Sequence, residues 1–504
     1  MNIKRAKELI IDSIKAYLLK NSRGEYVIPV VHQRPIFLLG APGIGKTQIM
    51  EQIAAQCGIG LVSYTITHHT RQSAIGLPFL SKEDFGGRNY TVTEYTMSEI
   101  VASIYYKMKQ TGLSEGILFI DEINCVSETL APAMLQFLQY KSFGSHQIPE
   151  GWIIIAAGNP PEYNRSVRDF DVVTLDRVKK IEVEPDFPVW REYAWEAGVH
   201  PSILAYLELR PAHFYKMETT VDGRFFATPR GWEDLSRIMQ VYEKLGIETD
   251  RDVVGQYIQH PDIAKDFANY LELYYKYQEG YQIEQIFQGN IPDVLLKKAA
   301  HAPFDERMSL IGLLIARCDG GFKAFARAQS YLSELHTALV SLKGGLEGLD
   351  PAAAMPCLAA FLAEYDAETG HRKEAGLLTV PQRTARLEAS DFLSRLITSC
   401  KTASDRPDGK AVFALARRAF EKEKEKYEQA YEDAGQTLEY AFDFLESAFG
   451  NGQEIVMFLT QLNANRMCLS FLDQYDCPRY YQYSQDLLFE DRARNILHKI
   501  EQLK

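Results

Sequence analysis

The chain has 504 residues, of which 46% are hydrophobic and 24% charged, a composition typical of a globular protein with more than one domain. Its formal net charge of −12 argues against a surface built mainly to grip nucleic acid. The seven cysteines stand singly, without a Cys-x-x-Cys pair, which argues against a cysteine-based zinc site and fits a reducing, cytoplasmic location.

The predicted elements begin with an amphipathic helix over residues 3–20, whose charged pattern differs from that of a signal peptide. No apolar run approaches the ~18–20 residues that span a bilayer, so we expect no membrane contact. Between about 35 and 184, apolar β-rich runs alternate with helical patterns, which is typical of a parallel α/β sheet covered by helices on both faces. Strands are predicted at 35–39, 61–67, 116–121, 152–157 and 178–184.

From about residue 187 onward nearly every segment has a helical pattern, with a soft boundary at Asp319-Gly320-Gly321 and a flexible loop at 401–410. The sequence therefore predicts an α/β domain followed by a large all-helical region. The expected divisions are an N-terminal helix at 1–30, the α/β domain at 31–186, a helical lid and extension at 187–318, and an all-helical module at 319–504.

Two segments of the last module leave alternatives open. The alternating charges between Arg417 and Glu432 are typical of a solvated helix with i,i+4 ion pairs, although a partner or nucleic acid could also use them. The aromatic residues from Tyr475 to Phe489 fit the core of a final packing layer, or else a docking surface. In both cases the sequence favours the purely structural interpretation.

The most specific motif is Gly40-Ala-Pro-Gly-Ile-Gly-Lys-Thr47, which lies between the first predicted strand and a predicted helix. Glycines at this spacing let successive backbone N–H groups point at phosphate oxygens, and the helix N-terminus adds its positive dipole. Lys46 is placed to reach the β- and γ-phosphates of ATP, and the Thr47 hydroxyl to hold Mg²⁺. The predicted phosphate-binding set is Gly40, Pro42, Gly43, Ile44, Gly45, Lys46, Thr47 and Gln48.

Polar residues follow two later strands. Asp121 and Glu122 end the apolar run 116–120, where Asp121 would complete the Mg²⁺ shell and Glu122 would act as general base for the attacking water. Asn159 ends the next strand, where its carboxamide would orient that water or sense the γ-phosphate. An Asx-type turn that merely stops the strand is the alternative for Asn159.

Two arginines complete the candidate site. Arg177 precedes the last predicted strand and could stabilise charge in the transition state, with Arg165 and Arg168 as competitors for the same role. A surface arginine paired with a nearby aspartate is the alternative. Arg230 opens a helix after Thr228 and could couple the lid to the γ-phosphate. A cation in the first turn opposes the helix dipole, which is a mild reason to expect a functional role for Arg230.

At this point four segments together resemble a MoxR-type AAA+ ATPase. They are Gly40–Thr47, the Leu-Phe-Ile-Asp-Glu-Ile-Asn run 118–124, the stretch 138–160 that ends in Ala-Gly-Asn-Pro, and Leu-Asp-Arg at 175–177. The resemblance covers roughly residues 30–245. It implies an AAA+ sheet domain, a small helical lid, Mg²⁺-dependent ATP hydrolysis and a homo-oligomeric ring, usually of six subunits.

The resemblance also assigns roles to matching positions. Lys46 and Thr47 match the first nucleotide motif, Asp121 and Glu122 the second, and Asn159 the first sensor. Arg177 falls at the position of the arginine finger and Arg230 at that of the lid sensor, although Val178 stands where many relatives have phenylalanine. Such proteins act as chaperone-like remodellers, often with a von Willebrand factor A domain partner. This chain has no Asp-x-Ser-x-Ser pattern, so that partner would be another protein.

Two segments could contact a substrate in the pore of a ring, or could be plain surface loops. One is 68–98, which contains His68-His69-Thr70-Arg71 and Gly76-Leu77-Pro78-Phe79. Its adjacent histidines would point to opposite faces of an extended strand, which argues against joint metal ligation. The other is Phe143-Gly144-Ser145-His146.

The leading functional hypothesis is an ATPase that remodels a protein partner. A nucleic-acid motor or loader on the same fold is the alternative, but it would need basic grooves and aromatic stacking platforms, which the acidic composition does not favour. A third class is a nucleotide switch with almost no turnover, against which the intact Glu122 argues.

Overall fold

A computed structural model describes residues 1–68, 74–143, 146–163, 167, 170–220, 223–402 and 407–485. The chain divides into two compact units. The first consists of Met1–Asp186 together with Glu364–Arg383, and the second of Phe187–Ala363 together with the residues from Thr384 onward.

The strands of the described residues are, in chain order, β1 (Ile36–Gly40), β2 (Gly60–Thr65), β3 (Pro78–Asp84), β4 (Asn89–Tyr95), β5 (Gly116–Asp121), β6 (Ser142–Phe143), β7 (His146–Gln147), β8 (Trp152–Gly158), β9 (Lys179–Val183), β10 (Lys216–Thr220) and β11 (Gly223–Ala227). The first unit is built on a parallel sheet of five of these strands in the order β2-β5-β8-β1-β9. Three two-stranded antiparallel hairpins, β3–β4, β6–β7 and β10–β11, lie outside this sheet, the last of them in the second unit.

The central strands explain why the sheet forms. All seven residues of β8 are buried, and so are the first five of β5, as expected for parallel strands covered on both faces. The register pairs Phe119 with Ile155 and Leu38 with Ala157, so the carboxyl ends of β5, β8 and β1 lie at one edge. The predicted parallel α/β fold is confirmed, and that edge is where the polar residues of the candidate site follow.

Helices cover this sheet, and the N-terminal helix is part of the same unit. Helix α1 buries Ala6, Ile10 and Ile14 and packs against α2 and β9, so it does not stand apart as its own domain. Ser98 caps α3, and left-handed Gly112 ends it. The helices of the main segment are α1 (Ile3–Leu18), α2 (Lys46–Cys57), α3 (Glu99–Thr111), α4 (Ala131–Tyr140) and α5 (Val172–Leu175).

The hairpin of β3 and β4 lies within the 68–98 segment and was not predicted. Its residues are exposed on both faces except for Ser81 and Val92, which are half-buried. A ribbon exposed on both faces has no need for the alternation of apolar and polar residues by which strands are recognised in a sequence. His69, Thr70 and Arg71 of the same segment lie outside the described residues.

In its described residues the second unit is helical apart from the β10–β11 hairpin, which the sequence also did not predict. The all-helical character expected beyond the sheet domain is otherwise confirmed. No described helix has the length and apolar character needed to cross a membrane. The remaining helices are α6 (Phe187–Ala197), α7 (Pro201–Leu209), α8 (Pro229–Leu245), α9 (Arg251–Tyr257), α10 (Pro261–Gly280), α11 (Ile283–Ile286), α12 (Asp293–Ala300), α13 (Phe304–Leu346), α14 (Pro351–Ala375), α15 (Val380–Thr402), α16 (Gly409–Phe449), α17 (Gln453–Ala464) and α18 (Arg466–Leu472).

The expected boundary at Asp319-Gly320-Gly321 is corrected by the structure, because α13 runs through it without a break. Asp319 is buried, accepts a 2.6 Å hydrogen bond from Asn465 Nδ2 and forms a 2.6 Å ion pair with Lys323. The two glycines, a breaker signal in the sequence, therefore lie in a helix that long-range packing holds continuous.

The two ambiguous segments of the C-terminal part have structural roles in the described residues. The charged stretch of α16 carries exposed ion pairs such as Lys424–Glu428 at 3.1 Å, as expected of a solvated face. In the aromatic tail, Tyr475 stacks on Phe471 with ring centroids 4.9 Å apart, and Tyr480 is buried. The tail up to residue 485 thus contributes to the core, and residues 486–489 lie outside the described range.

Candidate functional site

The glycine-rich loop between β1 and α2 has the backbone conformation that its glycines predict. Gly43 has φ 77° and Gly45 has φ 90°, which residues with a Cβ rarely adopt. Gly45 is the N-cap of α2, so the first turn of that helix, which begins at Lys46, opens directly onto the loop. This combination of a curled loop and a helix N-terminus is an anion-binding arrangement.

Lys46, the first residue of α2, turns its ammonium back into this loop and links the loop to the neighbouring strand. The residue is only 8% exposed, and Nζ donates to Gly40 O at 2.7 Å and to Ala41 O at 2.8 Å. Nζ also donates to Asn159 Oδ1 at 2.9 Å. The predicted phosphate lysine and the predicted sensor, 113 residues apart in sequence, are therefore in direct contact.

Thr47 and Asp121 also meet across the sheet edge. The Thr47 hydroxyl donates a 2.9 Å hydrogen bond to Asp121 Oδ2, joining the start of α2 to the end of β5. Hydroxyl and carboxylate oxygens are hard ligands that suit Mg²⁺. The donor set therefore fits the predicted metal.

Glu122 has an unusual backbone. It follows β5 with φ 57° and ψ 33°, a left-handed conformation that costs a non-glycine residue about 1 kcal/mol or more. Its amide donates to Asp121 Oδ1 at 2.9 Å, which helps to hold this turn. The two consecutive carboxylates thereby face different surroundings, since Asp121 bonds Thr47 and Glu122 does not.

Thr67 is a contact of the site that the sequence did not reveal. Its hydroxyl donates to Glu122 Oε2 at 3.1 Å. Thr67 follows β2, and β2 pairs with β5 so that Thr65 lies beside Asp121. The polar residue after β2 therefore comes next to the carboxylate after β5. The only available signal would have been the adjacency of these two strands, which a single sequence does not give.

Asn124 is a second contact of the site that the sequence did not reveal. It lies in the short 3₁₀ turn Ile123–Cys125 that follows Glu122. Its side-chain amide donates to Asn159 O at 2.7 Å and accepts from Asn159 N at 3.3 Å. The turn after β5 is thus joined to the end of β8. The sequence contained Asn124 as part of a recognised motif but gave it no role.

Arg177 follows α5 and is exposed, with its guanidinium hydrogen-bonded to the side chain of Gln139. Asp171 caps α5 through a 2.8 Å bond from Thr174 N. A hydrogen bond from the Thr174 side chain, then this backbone bond, and to a smaller extent the charge of Arg177 lower the pKa of the Asp171 carboxyl. Arg177 therefore has a defined, solvent-facing position. Its competitors Arg165 and Arg168 lie outside the described residues.

Arg230 belongs to the second unit, where it is the second residue of α8. Thr228 caps the helix by accepting from Gly231 N at 3.2 Å. The Arg230 side chain is exposed, and it makes no hydrogen bond or ion pair with any residue that the structure describes. A first-turn arginine that is unused by its own fold is available for a ligand, although the helix dipole opposes its charge.

The two candidate substrate segments both contain hairpins. In β3–β4, Leu80 is 74% exposed, and the side chain of Phe85 in the turn is 61% exposed. The second segment forms β6–β7, where Phe143 is buried and stacks on Phe137 at 4.0 Å between ring centroids. Gly144 and Ser145 lie outside the described residues.

Residues 35–178 match the model of the family described as AAA domain (dynein-related subfamily). The chain is a P-loop ATPase. Its AAA domain includes every site residue described above except Arg230. No curated protein matches the chain. Among solved structures, a mutant of Thermotoga maritima RuvB is similar at 14% identity and a TM-score of 0.29, covering 51% of this chain and 68% of that one.

Proposed function

We propose that this P-loop ATPase is a MoxR-type member of its AAA subfamily that hydrolyses ATP with Mg²⁺ and remodels a protein partner. The observation that carries the catalytic part is the set of contacts at one sheet edge. Lys46 bonds Asn159, and Thr47 bonds Asp121, so that the ends of β1, β5 and β8 present cation, carboxylate and carboxamide together. The MoxR assignment rests on the motif letters of residues 118–124, 138–160 and 175–177.

In the proposed reaction, the loop N–H groups and Lys46 bind the β- and γ-phosphates of ATP. Thr47 and Asp121 would hold Mg²⁺, which when bound would neutralise phosphate charge. Lys46 now donates to Gly40 O, Ala41 O and Asn159 Oδ1, so its ammonium would exchange part of these bonds for phosphate oxygens. Because Lys46 is buried, its charge interacts more strongly with groups in the loop than it would in water.

Glu122 is the proposed general base and takes a proton from the attacking water. Its left-handed backbone sets it apart from Asp121, which stays with the metal site. Asn159, anchored between Lys46 and Asn124, orients that water relative to the γ-phosphate. To contact the water, the Glu122 carboxylate must break its hydrogen bond with Thr67, or must use the oxygen that Thr67 does not bind.

Arg177 and Arg230 are the proposed finger and lid sensor. Arg177 is exposed, which suits a guanidinium that acts on the nucleotide of a neighbouring copy. We therefore propose a homo-oligomeric ring, of six subunits by resemblance, in which sites lie between copies. A partner protein with a von Willebrand factor A domain is proposed on the same resemblance.

The experiment that tests the function is ATP binding and phosphate release by the full chain, with and without Mg²⁺. Binding without Mg²⁺ and hydrolysis only with it support the proposal. A protein that binds ATP but releases no phosphate under any condition would contradict it. Stimulation of phosphate release by single-stranded DNA would instead favour the alternative of a nucleic-acid motor.

A further inference from the structure

The side-chain amide of Asn124 forms two hydrogen bonds with the backbone of Asn159. Asn124 is 4% exposed, and its amide donates to Asn159 O at 2.7 Å and accepts from Asn159 N at 3.3 Å. Two opposed hydrogen bonds to one residue fix the position and the rotation of its peptide units. Asn159 directly follows Gly158, the last residue of β8, and lies beyond the strand pairs of β8 that the structure describes.

Gly158 provides the space for this arrangement. A Cβ on Gly158 would lie 2.5 Å from Asn124 Oδ1 and 2.7 Å from its Cγ, closer than real Cβ atoms approach. The amide of Asn124 is therefore packed directly over the backbone of β8. A glycine before Asn159 and an asparagine two residues after Glu122 are needed together, which gives a physical reason for the two motifs to occur in one chain.

The same amide lies between two parts of the proposed catalytic site. On one side it belongs to the turn that begins at Glu122. On the other it holds Asn159, whose Oδ1 accepts from Lys46 Nζ at 2.9 Å. We propose that Asn124 is a positioning residue for hydrolysis, which sets the Asn159 carboxamide relative to Glu122 and Lys46. This inference rests on the proposed function and deepens it.

A role in folding stability alone is the competing explanation, since any buried asparagine with satisfied hydrogen bonds stabilises its surroundings. Asn124→Asp separates the two. The carboxylate is nearly isosteric and still accepts from Asn159 N, but it cannot donate to Asn159 O. The expected result is a kcat for ATP that falls about 10- to 100-fold through misplacement of Asn159, with a KM that changes by about twofold or less.

Asn465→Asp is the matched control. Asn465 is equally buried, donates to the Asp319 carboxylate at 2.6 Å and caps α18 by accepting from Met467 N at 2.9 Å. Asn465→Asp places a second carboxylate next to that of Asp319 and is expected to lower the melting temperature of the protein. Because it lies outside the site, kcat per folded molecule should stay at the wild-type level.

A double-mutant cycle gives the second readout. If Asn124 acts through Asn159, Asn124→Ala lowers kcat in the wild-type background but has an effect of about twofold or less in an Asn159→Ala background. If the losses of kcat in the two single variants multiply in the double variant, the inference is overturned. A wild-type kcat in Asn124→Asp would overturn it as well. Failure of the wild-type chain to hydrolyse ATP would instead contradict the proposed function, so the two failures are distinguishable.

Discussion

The Thr67 hydroxyl donates a 3.1 Å hydrogen bond to Glu122 Oε2, across 55 residues of sequence. It brings a polar side chain from the end of β2 onto the carboxylate proposed as general base. The bond stabilises the anion and holds one of its two oxygens away from an attacking water. The proposed base is thus partly restrained by its neighbouring strand, and the restraint is a single exposed side chain.

We expect Thr67→Val to raise the basal rate of ATP hydrolysis. Valine keeps the shape of threonine but cannot donate, so Glu122 is released to contact water. A hydrogen bond to a charged group is worth about 1.5 to 3 kcal/mol, so we expect a gain in kcat of about tenfold and at most about 100-fold. Steady-state phosphate release measures it. Thr67→Ser keeps the donor and serves as control, and a Thr67→Val rate below the wild-type rate would show that Thr67 orients Glu122 for catalysis.

Glu122→Gln should bind ATP and hydrolyse it very slowly. The amide keeps the size of the side chain but accepts no proton from water, so we expect kcat to fall about 10²- to 10⁴-fold. Calorimetric titration with ATP should show nearly unchanged affinity. Hydrolysis at the wild-type rate would remove Glu122 from the mechanism and leave the general base to be found elsewhere.

The sequence predicted the parts of this site that lie in short contiguous motifs. The loop 40–47 and the polar ends of β5 and β8 are encoded locally, because an apolar run followed by a polar residue marks a strand end wherever it lies in the sheet. The parallel fold followed from the alternation of such runs with helices. The structure adds that these ends touch, as in the contact of Lys46 with Asn159.

What the sequence could not give depends on strand order or on packing between distant segments. Thr67 and Asn124 become site contacts only because β2 and β8 flank β5. The β3–β4 hairpin lacks an apolar face, so it has no pattern to recognise. The break expected at Gly320 is overridden by the burial of Asp319 against Asn465. In each case tertiary contacts outweigh a local signal.

Arg177→Ala should abolish turnover while leaving nucleotide affinity largely intact. The exposed guanidinium bonds only the side chain of Gln139 among the described residues, so its loss costs the fold little. Loss of an arginine finger lowers kcat about 1000-fold or more. Loss of ATP affinity with unchanged turnover of bound ATP would contradict the finger role.

Mixing two inactive variants tests whether the finger acts between copies. In a ring assembled from Arg177→Ala and Glu122→Gln chains, some sites combine an intact Glu122 with an intact Arg177 from the next copy. Random mixing in equal amounts should restore about a quarter of the wild-type sites. A mixture as inactive as either variant would place both residues in the same chain's site, or would show that no ring forms.

Arg230→Ala should weaken ATP binding more than ADP binding. Its side chain has no partner among the described residues, and a guanidinium that contacts the γ-phosphate is lost only for the triphosphate. We expect a Kd for ATP that rises about tenfold, the value of one hydrogen bond to a charged group, and a Kd for ADP that stays constant. Equal changes for both nucleotides would contradict the sensor role.

Lys141→Met should stabilise the first unit at neutral pH. Lys141 is 8% exposed, and its ammonium has one long contact, 3.5 Å to Gln33 Oε1, within the part of the chain that the structure describes. Burial lowers the pKa of this amine from 10.5 to about 8. At pH 7 the amine is protonated in both the unfolded and the folded chain, so folding buries a charged group, at a cost of up to about 3 kcal/mol.

The pH dependence gives this prediction its sign. Between about pH 8 and 10.5 the unfolded chain binds the proton that the folded chain has released, so wild-type stability rises with pH across that range. The stability of Lys141→Met lacks this rise. Urea unfolding at pH 7 and pH 10 should therefore show a large advantage of the variant at pH 7 that shrinks at pH 10. An advantage independent of pH would mean that the gain comes from packing, and a less stable variant at pH 7 would mean that the Gln33 contact outweighs the desolvation of the charge.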